Sequence, residues 1–175
     1  MSRLGLSSII PGGANASEII WSWLGAVLGI GLCAFVSSYL FEPRELTLVI
    51  GSFGASAVLV YGAVQSPLAQ PRNLVGGHII SAFVGVLSWK IFGDTVWLAA
   101  AMAVAFAMAA MLVTGTVHPP GGATALIAVI GGEQIHDMGF LYPLVPVAAG
   151  ALVLLAVALV VNNICPHRKY PLSWF

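Results

Sequence analysis

The sequence predicts an all-α polytopic membrane protein. Three observations predict it. Hydrophobic residues make up 59% of the 175 positions and charged residues only 7%, against about 25% charged in soluble domains. Apolar stretches long enough for a hydrocarbon core of ~30 Å recur along the whole chain. Two of those stretches carry breakers, one rich in glycine and serine and the other in glycine and proline, and similar residues flank each breaker. The pattern is six crossings as two inverted repeats of three, the second and fifth each broken into an extended arm plus a half-helix.

Taken in order, residues 1–18 form an N-terminal tail. Arg3 precedes a short apolar run that Pro11-Gly12-Gly13 interrupts, so an interfacial tail is expected in place of a cleaved signal. Residues 19–41 make the first crossing, with Trp21 and Trp23 suited to the interface. Glu42-Pro43-Arg44-Glu45 returns the chain to water. Residues 46–64 form the second crossing, interrupted by Gly51-Ser52-Phe53-Gly54-Ala55-Ser56. Residues 66–73 are a polar, proline-containing connector. Residues 74–92 form the third crossing, with Lys90 and Asp94 at its end. Residues 95–113, rich in alanine and methionine, form a fourth that suits close helix packing. The fifth contains Thr114-Gly115-Thr116-Val117-His118-Pro119-Pro120-Gly121-Gly122-Ala123-Thr124-Ala125. Glu133, His136 and Asp137 mark water again, residues 142–161 make the sixth crossing, and residues 166–175 form a cytoplasmic tail. The membrane domain is thus one unit, residues 19–165, with repeats over about 19–93 and 95–163.

The formal net charge is zero, so nothing favours nucleic acid. Cys33 and Cys165 do not make a disulfide framework and read as packing residues. No metal cluster and no cofactor are expected. Arg3, Arg72, Arg168 and Lys169 fall on one side of a six-crossing topology, and Arg44 and Lys90 on the other. That bias puts both termini in the cytoplasm.

The repeat rests on two landmarks in the same order. Trp23-Leu24-Gly25-Ala26 aligns with Trp97-Leu98-Ala99-Ala100, and Gly54-Ala55-Ser56-Ala57-Val58-Leu59 with Gly122-Ala123-Thr124-Ala125-Leu126-Ile127. An odd number of crossings per unit inverts the second copy, a plan that places sites where discontinuous helices meet. Two prolines in succession deny the fifth crossing a continuous helix. An arm over 114–120 and about ten helical residues from Gly121 each cover roughly half the membrane, at ~3.3 and ~1.5 Å per residue. Two helix starts facing each other near the midplane, each carrying roughly half a positive charge, suit a small monovalent anion. Ser52, Ser56, Thr116 and Thr124 would add hydroxyl donors beside Gly54, Ala55, Gly121 and Gly122; equally, such small residues let helices pack closely.

His118 lies in the arm. Its imidazole either relays a proton or pairs with an anion, or it stays neutral on a backbone carbonyl and satisfies the break. Gln70, Arg72, Asn73 and His78 are placed in an inner vestibule; Gln70, Arg72 and Asn73 fasten the connector to carbonyl ends or meet incoming anions, and His78, about one turn into the third crossing, reads first as structural. Intramembrane enzyme chemistry is not expected, because no paired acid, Ser/His dyad motif or metal cluster is spaced for it.

Thr116–Leu126 resembles the signature of the HPP family of integral membrane proteins. So do Gly51–Leu59, Pro67-Leu68-Ala69-Gln70-Pro71-Arg72-Asn73 and Gly76-Gly77-His78. The resemblance covers about residues 19–165 and implies residence in a bacterial inner membrane or plastid envelope. It also implies a link to nitrite transport, as in cyanobacterial and plant relatives. The CBS domains of some members are not matched here, and the family is often described as four-span. The expected function is transport of a small anion, nitrite first, by a homo-oligomer in the lipid bilayer. The alternative is a membrane structural or regulatory module that moves nothing.

Overall fold

A computed structural model describes residues 15–40 and 50–174. The predicted tail with Arg3, the Glu42–Glu45 loop with Arg44 and the lead-in to the second crossing lie outside or largely outside the described residues. Every regular element among the described residues is helical. Helix α1 spans Ala16–Leu40, α2 Gly51–Gly62, α3 Gly77–Phe92, α4 Val96–Thr114, α5 Pro119–Ile130, α6 Glu133–Met138 and α7 Ala149–Ile164. A wider π-helical turn over Arg72–Gly76 leads directly into α3, and the irregular segment Pro143–Ala148 leads into α7.

Among the described residues, four helical runs are long and apolar enough to cross a membrane: Ala16–Tyr39, Arg72–Phe92, Val96–Thr114 and Pro143–Ile164. The helices Gly51–Gly62 and Pro119–Ile130 are apolar but shorter. Each half of the chain therefore runs long helix, short helix, long helix. The predicted arm is shorter than the sequence suggested. Thr114 still belongs to α4, and α5 already begins at Pro119, because proline fits the first helical positions, where no donor is required. Only residues 115–118 lie between the two helices, and His118 is extended. Gly115 ends α4 with φ +65°, a left-handed geometry that glycine adopts without cost.

The outer surface is apolar, as lipid demands. Trp23, Phe35, Trp97 and Leu112 are exposed, and Val113 is 88% exposed. On α4 the buried positions are Ala99, Ala103, Ala107 and Met111, one stripe at four-residue spacing. Small side chains on that stripe let α4 approach α3 and α5 closely. The interior forms around Phe53, Tyr61, Leu74, Tyr142 and Leu154, all almost fully buried. Tyr61 lies against Gly25 and Gly29 of α1, where no Cβ intervenes, and its hydroxyl donates to the Leu154 carbonyl (3.0 Å).

Residues 115–130 travel beside α3 from end to end. Gly115 lies against Arg72, Thr116 against Gly76, His118 against Gly77, Gly121 against Ser81 and Ala125 against Gly85. Beyond α5, the His136 ring stacks on Trp89 at 3.8 Å.

Arg168 closes the opposite end. Its guanidinium donates to the Glu18 carboxylate (2.6 and 3.0 Å), the Tyr61 carbonyl (3.0 Å), Asn162 Oδ1 (3.1 Å) and Ser22 Oγ (2.8 Å). One buried cation thereby ties the start of α1 to the ends of α2 and α7. Its planar fork suits several acceptors at once.

A buried serine–histidine–threonine chain between the short helices

Helices α2 and α5 do not meet tip to tip, as the sequence suggested. They lie side by side in opposite directions: Ser52 reaches Thr124, while Ser56, one turn on, reaches His118. The start of α5 also offers few amides. Pro119 and Pro120 have no N–H, and the Gly121 N–H donates to the His118 carbonyl (2.8 Å). The positive helix end expected at the midplane is thus largely spent within the chain itself.

Side chains fill the place of those amides. Ser56 Oγ lies 2.7 Å from His78 Nε2 and 2.9 Å from His118 Nε2. His78 Nδ1 lies 2.7 Å from Thr124 Oγ1, and Thr124 Oγ1 lies 2.8 Å from Ser52 Oγ. His118 Nδ1 lies 2.8 Å from the Leu68 carbonyl. Five side chains from α2, α3, the arm and α5 are therefore linked in one chain of hydrogen bonds. All five are essentially fully buried. The two imidazoles are 5.0 Å apart, centre to centre, and Phe53 sets its edge against His78 at 5.1 Å. Ser56 and Thr124, which the sequence repeat aligns, grip the two ring nitrogens of His78.

The backbone makes this possible. A Cβ on Gly77 would stand 2.6 Å from His118 Cβ and 2.7 Å from the Thr116 carbonyl; one on Gly121 would stand 2.7 Å from Ser81 Oγ. Glycine at both places lets α3, the arm and α5 come together. Tyr142 supports the arrangement from outside by donating to the Thr124 carbonyl (3.1 Å). Ser81 Oγ is a buried hydroxyl without a partner among the described residues.

Of the residues expected to line an anion site, Ser52, Ser56, His118 and Thr124 come together, and Gly121 packs beside them. Thr116 is buried in the arm and bonds to Thr114 Oγ1 (2.8 Å). Gly54 and Ala55 are exposed on the far side of α2, and Gly122 is half-buried toward Val104 of α4. Among the vestibule residues, His78 instead occupies the middle of the chain. The other three fasten the connector: Arg72 donates to the Thr114 carbonyl, Asn73 Nδ2 to the Val117 carbonyl (2.8 Å), and Gln70 Nε2 to the Val64 and Ser66 carbonyls (3.2 and 2.8 Å). Sequence reasoning missed the centrality of His78, although Gly77 beside it was the signal that another segment passes close by. It also missed Tyr142 and the Leu68 carbonyl, which no local pattern marks.

Cavities lie elsewhere. One of about 350 Å³ is lined at the Arg168 end by Glu18, Gln65, Ser66, His167 and Lys169. Another of about 350 Å³ is lined at the opposite end by Trp89, Lys90, Asp94 and His136. An apolar groove of about 520 Å³ runs between α1 and α7. Among the described residues, no group of three or more His, Cys, Asp or Glu side chains is placed to hold a metal ion.

Residues 11–171 match the model of the HPP transmembrane region. The chain belongs to the HPP transmembrane family. This HPP protein is 48% identical over 168 residues to a transmembrane protein of Dictyostelium discoideum, a match that covers 94% of the chain and 54% of that relative. A second transmembrane protein of the same organism is 44% identical over 164 residues, covering 92% of the chain and 57% of the relative. The HPP chain thus spans about half the length of the curated relatives it matches. No solved structure matches it.

Proposed function

We propose that this HPP protein carries a small monovalent anion, nitrite first, across the membrane together with a proton. The observation that carries the reading is the buried chain Ser52–Thr124–His78–Ser56–His118 between the two short helices. With both imidazoles neutral it holds no net charge. Among the described residues no lysine or arginine bonds into it, so an anion finds no side-chain cation there to offset its charge. A proton on an imidazole supplies that charge, and anion and proton then enter as a neutral pair. An uncompensated charge in a low-dielectric interior is costly, which makes the coupling strict. The close run of residues 115–130 beside α3 supports counting the fifth stretch as a crossing, and hence six crossings in two inverted repeats. Arg72, Arg168 and Lys169 at one end and Lys90 at the other support cytoplasmic termini. The exposed small face of α2, with Gly51, Gly54 and Ala55, supports a homo-oligomer in the bilayer.

Purified protein in liposomes tests the reading. Nitrite uptake is expected to follow an inward proton gradient and to stay constant when potassium and valinomycin set the membrane potential. Uptake that tracks the potential and moves no protons overturns the coupling. No flux above empty vesicles overturns transport. In that case the second reading, a module that binds a partner and moves nothing, takes over. The observation favouring it is that both ring nitrogens of both histidines are already bonded within the protein.

A further inference from the structure

The hydrogen-bond chain has a direction, and the direction distinguishes its two histidines. A backbone carbonyl only accepts, so the bond from His118 to Leu68 fixes the His118 proton on Nδ1. Neutral His118 therefore presents a lone pair at Nε2, which accepts the Ser56 O–H (2.9 Å). With its one proton so used, Ser56 Oγ accepts from His78 Nε2–H (2.7 Å). That leaves the lone pair of His78 on Nδ1, which accepts the Thr124 O–H (2.7 Å). The Thr124 hydroxyl is also placed to donate to Ser52 Oγ (2.8 Å), a bond it makes only when it is not donating to His78. One carbonyl, outside the two rings, thus sets opposite tautomers in the two histidines.

The two rings then differ in what an added proton does to their neighbours. A proton on His118 Nε2 puts an N–H from each ring on Ser56 Oγ and displaces the Ser56 proton from the acceptor it holds. A proton on His78 Nδ1 asks only that Thr124 turn from donor to acceptor. Its own O–H then goes to Ser52 Oγ (2.8 Å) or to the Pro120 carbonyl (3.4 Å), both already in place.

We propose that His78 is the proton-binding residue, taking the proton on Nδ1, and that His118 is a positioning residue locked as a donor by Leu68. The assignment deepens the proton-coupled reading above and rests on it for its consequence in transport. In the step itself an N–H bond forms at His78 Nδ1, and the O–H of hydronium, or of the acid form of the substrate, breaks. The Thr124 hydroxyl reorients and nothing is oxidised or reduced. The groups facing His78 are Phe53 and Ser56 from α2, Thr124 from α5 and His118 from the arm; His118 is the titratable one among them.

Imidazole nitrogen NMR of 15N-histidine protein in lipid nanodiscs tests this without any transport assay. The chain has four histidines, and single His→Gln variants assign each signal. Above about pH 8 His118 should carry its one proton on Nδ1 and His78 its one proton on Nε2. As pH falls, His78 should gain its second proton first while the His118 pattern holds. Thr124→Val should move the His78 midpoint by at least about half a pH unit and leave the His118 tautomer unchanged. His118 protonated on Nε2 when neutral, His118 gaining the second proton first, or neither ring titrating down to pH ~4 overturns the proposal. In vesicles, His78→Gln should abolish the pH dependence of nitrite uptake, whereas His118→Gln should slow uptake but keep its midpoint. The reverse pattern overturns the assignment. Absence of flux in every protein, with the NMR pattern as expected, removes the transport reading and leaves the proton site standing.

Discussion

At the scale of single residues, Ser56 differs from the other members of the buried chain. Its one hydroxyl serves two imidazoles from two different segments, whereas Ser52 ends the chain and, among the described residues, bonds Thr124. Removing a shared partner leaves buried polar atoms unsatisfied, at about 1–3 kcal/mol each. Ser56→Ala is therefore expected to lower stability by about 2–4 kcal/mol and Ser52→Ala by no more than about 1.5 kcal/mol. Thermal unfolding in one detergent compares them, and an equal loss in both would refute a central role for Ser56. Arg168 was visible in the sequence only as a charge that reports topology. Its bonds to Glu18, Ser22, Tyr61 and Asn162 come from elements far apart in the chain, and no local pattern marks them.

At the scale of elements, the decisive pairing is α3 with the arm and α5. The sequence located the break at the two prolines because proline withholds a donor and restricts the residue before it. It placed the start of the helix two residues late and the end of α4 one residue early, since proline is well suited to the first turn. What the pattern did not show is which glycines face a neighbour. Gly77 does: a Cβ there meets His118 Cβ at 2.6 Å and the Thr116 carbonyl at 2.7 Å. Gly122 does not: its nearest neighbour, Val104 Cγ1, is 3.9 Å away. Gly77→Ala should destabilise by about 1–3 kcal/mol by forcing the arm off α3. Gly122→Ala should be neutral or stabilising by up to about 1 kcal/mol through helix propensity. Melting curves of the two variants decide it, and a Gly77→Ala protein as stable as the parent would mean that the arm does not pass there.

At the scale of the whole molecule, two ends are distinguished by their chemistry. Gln65, Arg168 and the strand of chain to Leu172 gather at one end, where Tyr170 donates to the Ala69 carbonyl and the Leu172 N–H to Gln70 Oε1. Trp89, Lys90, Asp94 and His136 gather at the other. A membrane-impermeant thiol reagent should therefore label Gln65→Cys and Leu172→Cys from one side, and Asp94→Cys and Glu133→Cys from the other. Cys33 and Cys165 are buried and would be replaced in the background protein. Labelling of all four from one side would rule out the arrangement of spans described above.

The sequence by itself determined that the protein is helical and lives in a membrane. Composition and run length answer to the solvent, and a bilayer leaves an apolar segment of that length little other choice. It also determined where the fifth stretch breaks, since that is a property of two prolines and their immediate neighbours. Only the tertiary structure decided that the short helices pass each other, that His78 and His118 share one serine, and that Gly54 and Ala55 point away. Those outcomes depend on how far two helices slide past one another, and sliding changes no local preference. It is set by which side chains, tens of residues apart, leave room for one another.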